Sequence, residues 1–195
     1  MEKKYILTEE TKEWRGHILH RIEALKDFND VKTGDKGGWI EKENLSQEGN
    51  AWVYGEACVF GNACVFGNAR VFGSACVYGN ARVYDEARVC DSAWVYGEAW
   101  VYGSARVYGS ADYIVFKNWW SSGRYFTWTR SNNKWKVGCF YGTGEELIKK
   151  AYADSEKSGR EYERVVKYVE SILADEEKTK NNGTQRSAPL RRGKK

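Results

Sequence analysis

The 195-residue chain has few of the motifs that mark a metal centre, a common enzyme site or a membrane protein. It contains two histidines, and its five cysteines have neither CxxC spacing nor a neighbouring histidine, so the usual zinc motifs are excluded. It also lacks a glycine-rich phosphate loop, a paired-carboxylate motif and a Cys-His arrangement. No apolar run approaches a membrane span and no signal-peptide pattern opens the chain, so we expect a cytoplasmic protein without a membrane partner.

Net positive charge is confined to the C-terminal end. Residues 178–195 carry seven bases and no acid, and the rest of the chain is slightly acidic, although the whole chain has a formal net charge of +4. The basic pI is therefore weak evidence for nucleic-acid binding. The tail has little apolar surface to bury, so we predict that it is disordered and that it either steers an acidic partner or only keeps the chain soluble.

One six-residue unit is repeated ten times without insertion between Gly49 and Tyr108. Most units open with a turn pair such as Gly-Asn and continue with Ala, a variable residue, Val and an aromatic residue. Ala and Val lie two positions apart, so they point to one face of an extended strand while the other two residues point away. Gly and Asn tolerate the positive φ that a corner every six residues requires. The pattern predicts short strands with Ala and Val inside.

The repeat, with Ala and Val at fixed positions in all ten units, resembles the hexapeptide-repeat family. This resemblance implies a mainly β fold, a left-handed parallel β-helix of triangular section in which three units make one coil. Residues 37–50 also resemble the leading segment of uncharacterised hexapeptide-repeat proteins of bacteria and phages. We expect the repeat at residues 49–111, a small α+β domain at residues 112–177 and the disordered basic tail at residues 178–195.

Residues 1–48 have the pattern of an N-terminal cap that includes a degenerate first coil. Strand-like segments at residues 4–8 and 17–22 flank a turn at Arg15-Gly16. A solenoid needs atypical ends, because a plain repeat unit there would leave backbone groups unpaired and the core open.

The first part of residues 112–177 predicts a β-hairpin with a buried side. A two-residue turn at Asn132-Asn133 joins two strand-like segments. The turn predicts three opposed pairs: Trp128 with Val137, Phe126 with Cys139 and Arg130 with Trp135.

Two amphipathic helices are predicted after the hairpin. Thr143 and Glu146 have the spacing of a capping box at the start of the first helix. We predict a break between the helices at Ser158-Gly159. The domain as a whole either closes the open end of the coil or pairs with a second copy of itself.

A column of arginines is the first candidate site. Residues eighteen positions apart would stack about 4.8 Å apart on one face, and neighbouring guanidinium groups then repel by about 1 kcal/mol in water. Local ion pairs with Asp85 or Glu86 and stacking on rings are one interpretation. The other is a strip that binds phosphates of a nucleotide or nucleic acid, or carboxylates of a protein partner. The strip would contain Arg70, Arg88, Arg106, Trp52, Phe72 and Tyr108.

A second candidate site combines bases and tryptophans around the hairpin, as in proteins that bind single-stranded nucleic acid or dock a protein partner. The alternative is that the rings form the core of this domain. Trp119-Trp120 is explained least well by packing, since a loop seldom needs two adjacent tryptophans inside. The candidate residues are Trp119, Trp120, Arg124, Trp128, Arg130 and Trp135.

Two cysteines of the repeat, Cys58 and Cys76, would stack within disulfide distance. In a cytoplasmic protein we expect them to be reduced and to act as small, partly apolar side chains.

The resemblance also implies an activity, since many hexapeptide-repeat proteins are trimeric acyltransferases with a catalytic histidine. This sequence departs from that pattern, because its histidines, His17 and His20, lie in the cap and the hexads carry no loop insertion. His20 is a candidate general base, but a histidine in an apolar strand pattern is more often structural. Relatives that bind a catalytic metal through several histidines are excluded more firmly.

We therefore predict a non-enzymatic binding protein without a cofactor. Its β-helical rod would dock a protein partner, self-associate as a homo-oligomer, or both, and the phage resemblance suggests an inhibitor of a host defence protein. Binding of a nucleotide or nucleic acid through the Arg and aromatic face is the alternative, and acyl transfer is the second alternative.

Overall fold

The structure, a computed structural model, describes residues 2–186 and the side chains up to residue 180. The chain divides after Thr143 into two units, the first mainly of strands and the second of helices. Across residues 2–186, no helix is both long enough and apolar enough to cross a lipid bilayer.

Each hexad forms one two-residue strand, and strands eighteen residues apart pair in parallel and in register, as Cys58 does with Cys76. Every Ala and every Val of the ten units is 0% exposed. The predicted parallel β-helix with Ala and Val inside is confirmed. The strands are β4 (Trp52–Val53), β5 (Cys58–Val59), β6 (Cys64–Val65), β7 (Arg70–Val71), β8 (Cys76–Val77), β9 (Arg82–Val83), β10 (Arg88–Val89), β11 (Trp94–Val95), β12 (Trp100–Val101) and β13 (Arg106–Val107).

The coil has three faces, each covered by one parallel sheet. The first face consists of β4, β7, β10 and β13, the second of β5, β8 and β11, and the third of β6, β9 and β12. The outward residues of each face therefore form the columns that the period of the sequence predicts.

The corners between faces need left-handed backbone. Gly67 has φ of 72°, and a Cβ at this position would lie 3.0 Å from the backbone nitrogen of Asp85, so a side chain there would be both strained and tightly packed. Where two hexads lack glycine, Asp85 and Asp91 adopt the same conformation with φ of 63° and 58°. Aspartate is one of the few residues that tolerate this region.

Three strands precede the coil. β1 (Tyr5–Trp14) and β2 (His17–Ala24) form an antiparallel hairpin with the predicted turn at Arg15-Gly16, and β3 (Lys36–Ile40) pairs antiparallel with β2. On its other side β3 pairs in parallel with β5, so these strands extend the sheet of the second face. Strand pairing thus changes at β3 from antiparallel, in the hairpin, to parallel, in the coil.

Backbone hydrogen bonds join each coil to both of its neighbours. Some N–H groups donate to the following coil, as Trp52 does to Ala69 at 3.0 Å, and others donate backwards, as Val65 does to Asn44 at 2.8 Å. The first and the last coil therefore each have backbone groups on one side that no further coil can pair. Buried backbone groups of this kind need other partners.

Lys4 supplies donors at the N-terminal end of the coil. Its ammonium group is buried and donates to the backbone oxygens of Ala51, Gly49 and Glu48 at 2.9, 3.4 and 3.3 Å. Burial lowers the pKa of Lys4 to about 8, and the charge of Lys26 acts in the same direction. The adjacent Tyr5 donates its hydroxyl hydrogen to the oxygen of Leu45 at 2.6 Å.

An antiparallel four-stranded sheet follows the coil. A short 3₁₀ turn at Ser110–Asp112 leads into it. The side chains of Phe126, Trp128, Trp135 and Val137 are buried in this sheet, so the prediction of a hairpin with a buried side is confirmed. The strands are β14 (Tyr113–Lys117), β15 (Tyr125–Thr129), β16 (Lys134–Val137) and β17 (Phe140–Gly142).

The predicted pairing of this hairpin was wrong by two residues. Trp128 lies opposite Trp135 and Phe126 opposite Val137, because the turn uses residues 130–133 rather than Asn132-Asn133 alone. Asn133 is left-handed with φ of 49°, and its side chain accepts a hydrogen bond from the Trp128 indole at 2.9 Å. A shift of two residues keeps Phe126, Trp128, Trp135 and Val137 on the predicted buried face, whereas Cys139 lies beyond β16 and is exposed.

Side chains of the C-terminal sheet and its leading turn accept hydrogen bonds from backbone N–H groups of the last coil. These acceptors reach the last strands of two faces, the third and the first. The N–H of Trp100 donates to Thr127 Oγ1 at 2.9 Å, that of Arg106 to Ser131 Oγ at 2.7 Å and that of Tyr108 to Asp112 Oδ2 at 2.8 Å. Closing the end of the coil is thus one of the two roles predicted for this region.

The second unit consists of α1 (Gly144–Asp154) and α2 (Glu156–Arg186). α1 begins directly after Thr143, where the capping pattern predicts it. The predicted break at Ser158-Gly159 was wrong: the helices separate at Ser155, whose hydroxyl oxygen accepts a hydrogen bond from the Ser158 N–H at 3.1 Å. Gly159 lies inside α2, where a Cβ would collide with the ring of Tyr152, so this glycine permits close helix packing.

The predicted disordered tail differs in part from the structure. α2 continues to Arg186, so residues 178–186 are helical. Lys178 contacts Asp175 at 3.1 Å one turn earlier, a favourable spacing on a helix. The rest of the predicted tail, residues 187–195, lies outside the described residues.

Replacing Lys4 by Met should lower the free energy of unfolding by about 1–3 kcal/mol, because buried carbonyl groups lose their donor. The pKa of Lys4 in the folded state, about 8, is below its unfolded value. The unfolded chain therefore binds more protons above that pH, and wild-type stability gains a contribution that grows from about pH 8 to about pH 10.

Denaturant unfolding between about pH 7.5 and about pH 9.5 measures both effects, below the range in which tyrosines titrate. Lys3→Met, at an exposed position, is the matched control. Equal stability of Lys4→Met and wild type, or an unchanged pH dependence in the variant, would contradict the role of Lys4.

Replacing Thr127 by Val keeps the side-chain volume but removes the oxygen that accepts the Trp100 N–H. We expect a loss of about 1 kcal/mol in unfolding free energy, because a half-buried donor loses its partner. Amide hydrogen exchange should be accelerated at Trp100, with Thr11→Val on an exposed part of β1 as the control. Unchanged exchange at Trp100 would show that this cap is dispensable.

Candidate functional site

The first face carries the arginine column that the period predicts. Arg88 pairs in register with Arg70 on one side and with Arg106 on the other. Neighbouring strands are about 4.8 Å apart, so three cationic groups leave the same face at short spacing.

The first arginine of the column has an acidic partner from outside the repeat. A guanidinium nitrogen of Arg70 lies 3.4 Å from Asp30 Oδ1, and the same oxygen accepts the hydroxyl hydrogen of Tyr54 at 3.0 Å. Burial, followed by the hydrogen bond to Asp30, raises the pKa of Tyr54 to about 12. Asp30 lies in the loop between β2 and β3. No motif or spacing in the sequence indicated that this loop contacts the arginine column.

The other two arginines are more exposed. Within residues 2–180, neither Arg88 nor Arg106 has a carboxylate within ion-pair distance. Glu86, one of the two acids expected to neutralise the column, instead accepts a hydrogen bond from the Asn68 amide at 2.6 Å. The charge of these two arginines is therefore directed to solvent.

A polar cavity of about 250 Å³ lies on this face. Amide and guanidinium groups supply several hydrogen-bond donors, and one carboxylate lies among them. Such donors suit phosphate or carboxylate oxygens. The cavity is lined by Asn29, Asn50, Asn68, Arg70, Glu86 and Arg88.

The aromatic residues expected beside the arginines differ in exposure. Trp52 is 1% exposed, because Phe28 and Tyr5 pack against its ring with centroids 5.3 and 6.2 Å away. It therefore presents no surface to a ligand, contrary to its place in the predicted strip. Phe72 is half-buried, while Tyr108 is 48% exposed.

The second candidate site does not form one surface. Trp128 and Trp135 are buried opposite each other in the C-terminal sheet, so packing explains these two rings. Trp120 is half-buried, with its ring centroid 5.9 Å from that of Phe126. Of the tryptophans in this group, Trp119 is the exposed one, at 79%.

The two arginines of that group differ in exposure. Arg124 is exposed, whereas Arg130 is half-buried, donates to the backbone oxygen of Ala111 at 3.2 Å and lies 5.8 Å from the centre of the Trp128 ring.

A histidine–glutamate pair was missed from the sequence. His17 Nδ1 lies 2.8 Å from Glu41 Oε1, and Glu41 also accepts the Gly61 N–H at 2.7 Å. The hydrogen bond from His17, then the one from Gly61, lower the pKa of Glu41, so this carboxylate is ionised at neutral pH. His20, the candidate named from the sequence, instead places Nδ1 3.1 Å from the backbone oxygen of Thr8.

The carboxylate of Glu41 fixes the proton on the imidazole. An ionised carboxylate only accepts hydrogen bonds, so His17 Nδ1 carries the hydrogen and Nε2 keeps its lone pair when the ring is neutral. The ring lies against Phe60, with centroids 4.9 Å apart, and its side chain is 36% exposed. Residues 17 and 41 share no sequence motif, so only the pairing of β2 with β3 indicates that they are close.

No group of three or more His, Cys, Asp or Glu side chains among the described residues is arranged to hold a metal ion.

The fold and the arginine column define a β-solenoid of hexad repeats with one basic face. Residues 75–91 and 81–97 match the family described as the YdcK beta solenoid repeat, which confirms the resemblance at the level of the repeat. The chain is 43% identical over 61 residues to a protein of Escherichia coli (strain K12) named uncharacterized acetyltransferase YdcK. This match covers 27% of the chain and 19% of that relative, about a fifth of its length.

Proposed function

We propose that this protein is a β-solenoid binding protein that holds a phosphate-bearing ligand, a nucleotide or a nucleic-acid strand, on its first face. The observation that carries the proposal is the pair Arg88 and Arg106, adjacent in register and without an acidic partner in the described part of the chain. Guanidinium groups bind phosphate through two parallel hydrogen bonds, which suits a site built from arginine rather than lysine.

Electrostatics favour an anion at this position. Two like charges about 4.8 Å apart repel by about 1 kcal/mol in water and by more where solvent is excluded. An anion between them removes that repulsion, whereas Arg70 is already paired with Asp30. We therefore assign the main contacts to Arg88, which lines the cavity, and to Arg106, which follows it along the column outside the cavity.

The volume of the cavity suits one part of a ligand rather than a whole, enclosed ligand. Pockets that enclose a drug-sized molecule usually measure about 300–1,000 Å³, and this cavity is slightly smaller, at about 250 Å³. It suits one phosphate group, with the rest of the ligand lying along the column towards the exposed ring of Tyr108. A stacking base would complete such a site.

Protein docking, self-association and inhibition of a host protein stay hypotheses at the level of the sequence. No contact within residues 2–186 favours one of them. The same basic face suits the carboxylates of an acidic protein partner, so that class of ligand is the first to test if nucleotides fail.

The double variant Arg88→Ala, Arg106→Ala should weaken binding of a fluorescent ATP analogue or of a labelled oligothymidylate by about tenfold or more, since each charge-assisted contact is worth about 1–3 kcal/mol. Fluorescence anisotropy at low salt measures the affinity. Arg82→Ala is the matched control: it occupies the same hexad position on the third face, where Arg82 stacks 4.9 Å from the Trp100 ring. If neither probe binds the wild-type chain, or if all variants bind equally, the proposal fails.

Acyl transfer is the second candidate function, and the pair His17–Glu41 is the observation that favours it. A carboxylate at Nδ1 orients the imidazole so that Nε2 can accept a proton from an acceptor hydroxyl or amine. The relative that shares part of the repeat is named an acetyltransferase. The uninterrupted hexads are the argument against it, because no inserted loop encloses an acyl donor.

If the chain transfers acetyl groups, acetyl-CoA should raise its melting temperature, and release of free CoA thiol should be detectable with a range of amines and alcohols. His17→Gln should then reduce thiol release about a hundredfold or more while leaving the melting temperature nearly unchanged. His20→Gln serves as the control. Absence of both the thermal shift and thiol release would remove this candidate.

A further inference from the structure

Two thiols lie next to each other on the second face. Cys58 on β5 and Cys76 on β8 are Cα partners in a parallel ladder. Neighbouring strands are about 4.8 Å apart, which is within the Cα separation of about 4.4–6.8 Å found in disulfides. All five cysteines are free thiols in the structure.

Neighbouring side chains cover the two thiols but leave a small fraction of each cysteine exposed. Cys58 is 3% and Cys76 is 4% exposed, and Leu19, Trp39 and Phe60 pack around them. A small oxidant can reach a site of this kind, whereas a protein thiol cannot approach it closely. Cys64 of the third face lacks such a partner, since it lies opposite Arg82 in its ladder.

A lysine from β1 lies over this site. The Lys12 ammonium group is 4.5 Å from the centre of the Trp39 ring and 3.5 Å from Glu56 Oε2. Its charge and its position beside the thiols favour a thiolate there.

The two thiols titrate as a pair. A hydrogen bond from Cys76, followed by the charge of Lys12, lowers the pKa of Cys58 below its ordinary value despite burial, while the hydrogen bond to Cys58 and burial raise the pKa of Cys76. Ionisation of Cys58 leaves a thiolate beside a thiol that retains its proton, which are the attacking and resolving groups of a disulfide-forming site.

We propose that Cys58 and Cys76 are an oxidation site at which hydrogen peroxide forms a reversible disulfide between successive coils. The Cys58 thiolate attacks peroxide: an S–O bond forms, the O–O bond breaks and hydroxide leaves, giving a sulfenic acid. Cys76 then attacks that sulfur, the S–S bond forms and the S–O bond breaks. The hydroxyl group leaves as water with the proton of Cys76, so two thiols and one peroxide give a disulfide and two waters.

The spacing of the paired strands β5 and β8 makes the proposed disulfide reversible. A disulfide needs Cβ atoms about 3.8 Å apart, closer than the spacing of neighbouring strands, so the two coils must approach locally. Disulfides that oppose the surrounding structure are reduced more readily than relaxed ones. The product is therefore expected to be reopened by a small dithiol.

The test uses the full chain with Cys64→Ser and Cys139→Ser, which removes the two exposed thiols. After brief treatment with hydrogen peroxide, peptide mapping by mass spectrometry should show residues 58 and 76 linked with the loss of about 2 Da, restored by a dithiol. Recovery of both residues as free thiols, or oxidation of Cys90 instead, would overturn the proposal.

Two further variants separate the proposed chemistry from simple accessibility. Lys12→Met should slow disulfide formation by about threefold to tenfold, with Lys32→Met, an exposed lysine elsewhere in the cap, as the matched control. Cys76→Ser should stop at the sulfenic acid of Cys58, trapped by dimedone. Equal rates for all lysine variants, or no trapped adduct in a folded Cys76→Ser chain, would also overturn it.

Discussion

The pairing of each coil with its two neighbours determines how both ends of the coil are built. The first and the last coil each lack a neighbour on one side, so their outer backbone groups need other partners. At the first end, Lys4 and the Tyr5 hydroxyl donate to backbone oxygens. At the other end, Thr127, Ser131 and Asp112 accept hydrogen bonds from backbone N–H groups. Side chains of the segments that do not repeat therefore complete the pairing that the repeat begins.

The features that depend on the repeat period alone could be predicted from the sequence. Ala and Val point inward because they are two apart, and Arg70, Arg88 and Arg106 align because strands eighteen residues apart are neighbours. No long-range information is needed for either conclusion. The buried side of the hairpin after the coil could also be predicted, because it depends on the two-residue period of a strand. The predicted register was wrong by two residues, and such a shift preserves the buried side.

The features that depend on segments without a repeat could not be predicted. Asp30 reaches Arg70, and Phe28 covers Trp52, because the loop between β2 and β3 folds back over the first strand of the first face. The path of a loop depends on tertiary packing, and no spacing in the sequence encodes it. The pairing of His17 with Glu41 was missed for the same reason, since it requires the antiparallel contact of β2 and β3.

The three faces are consequently unequal, although their sequences are alike. The β1–β2 hairpin lies over the second face, where Arg15 stacks on Trp94 at 4.3 Å. The C-terminal sheet reaches the third face, where Lys136 lies 4.6 Å from the centre of the Tyr102 ring. On the first face, Arg88 and Arg106 remain exposed. A uniform repeat thus acquires a distinct surface from the parts of the chain that do not repeat.

Because the strands pair in strict register, the rotation of each hexad about the axis of the coil is fixed, as well as the length of the coil. A change of one whole coil would lengthen or shorten the rod without altering any column. A change of one hexad would turn everything that follows by about a third of a revolution, because the coil has three sides. Arg106 would then leave the arginine column, and Thr127 and Ser131 would meet the wrong strands. Evolution can therefore vary the reach of this protein only in steps of one coil, about 4.8 Å each.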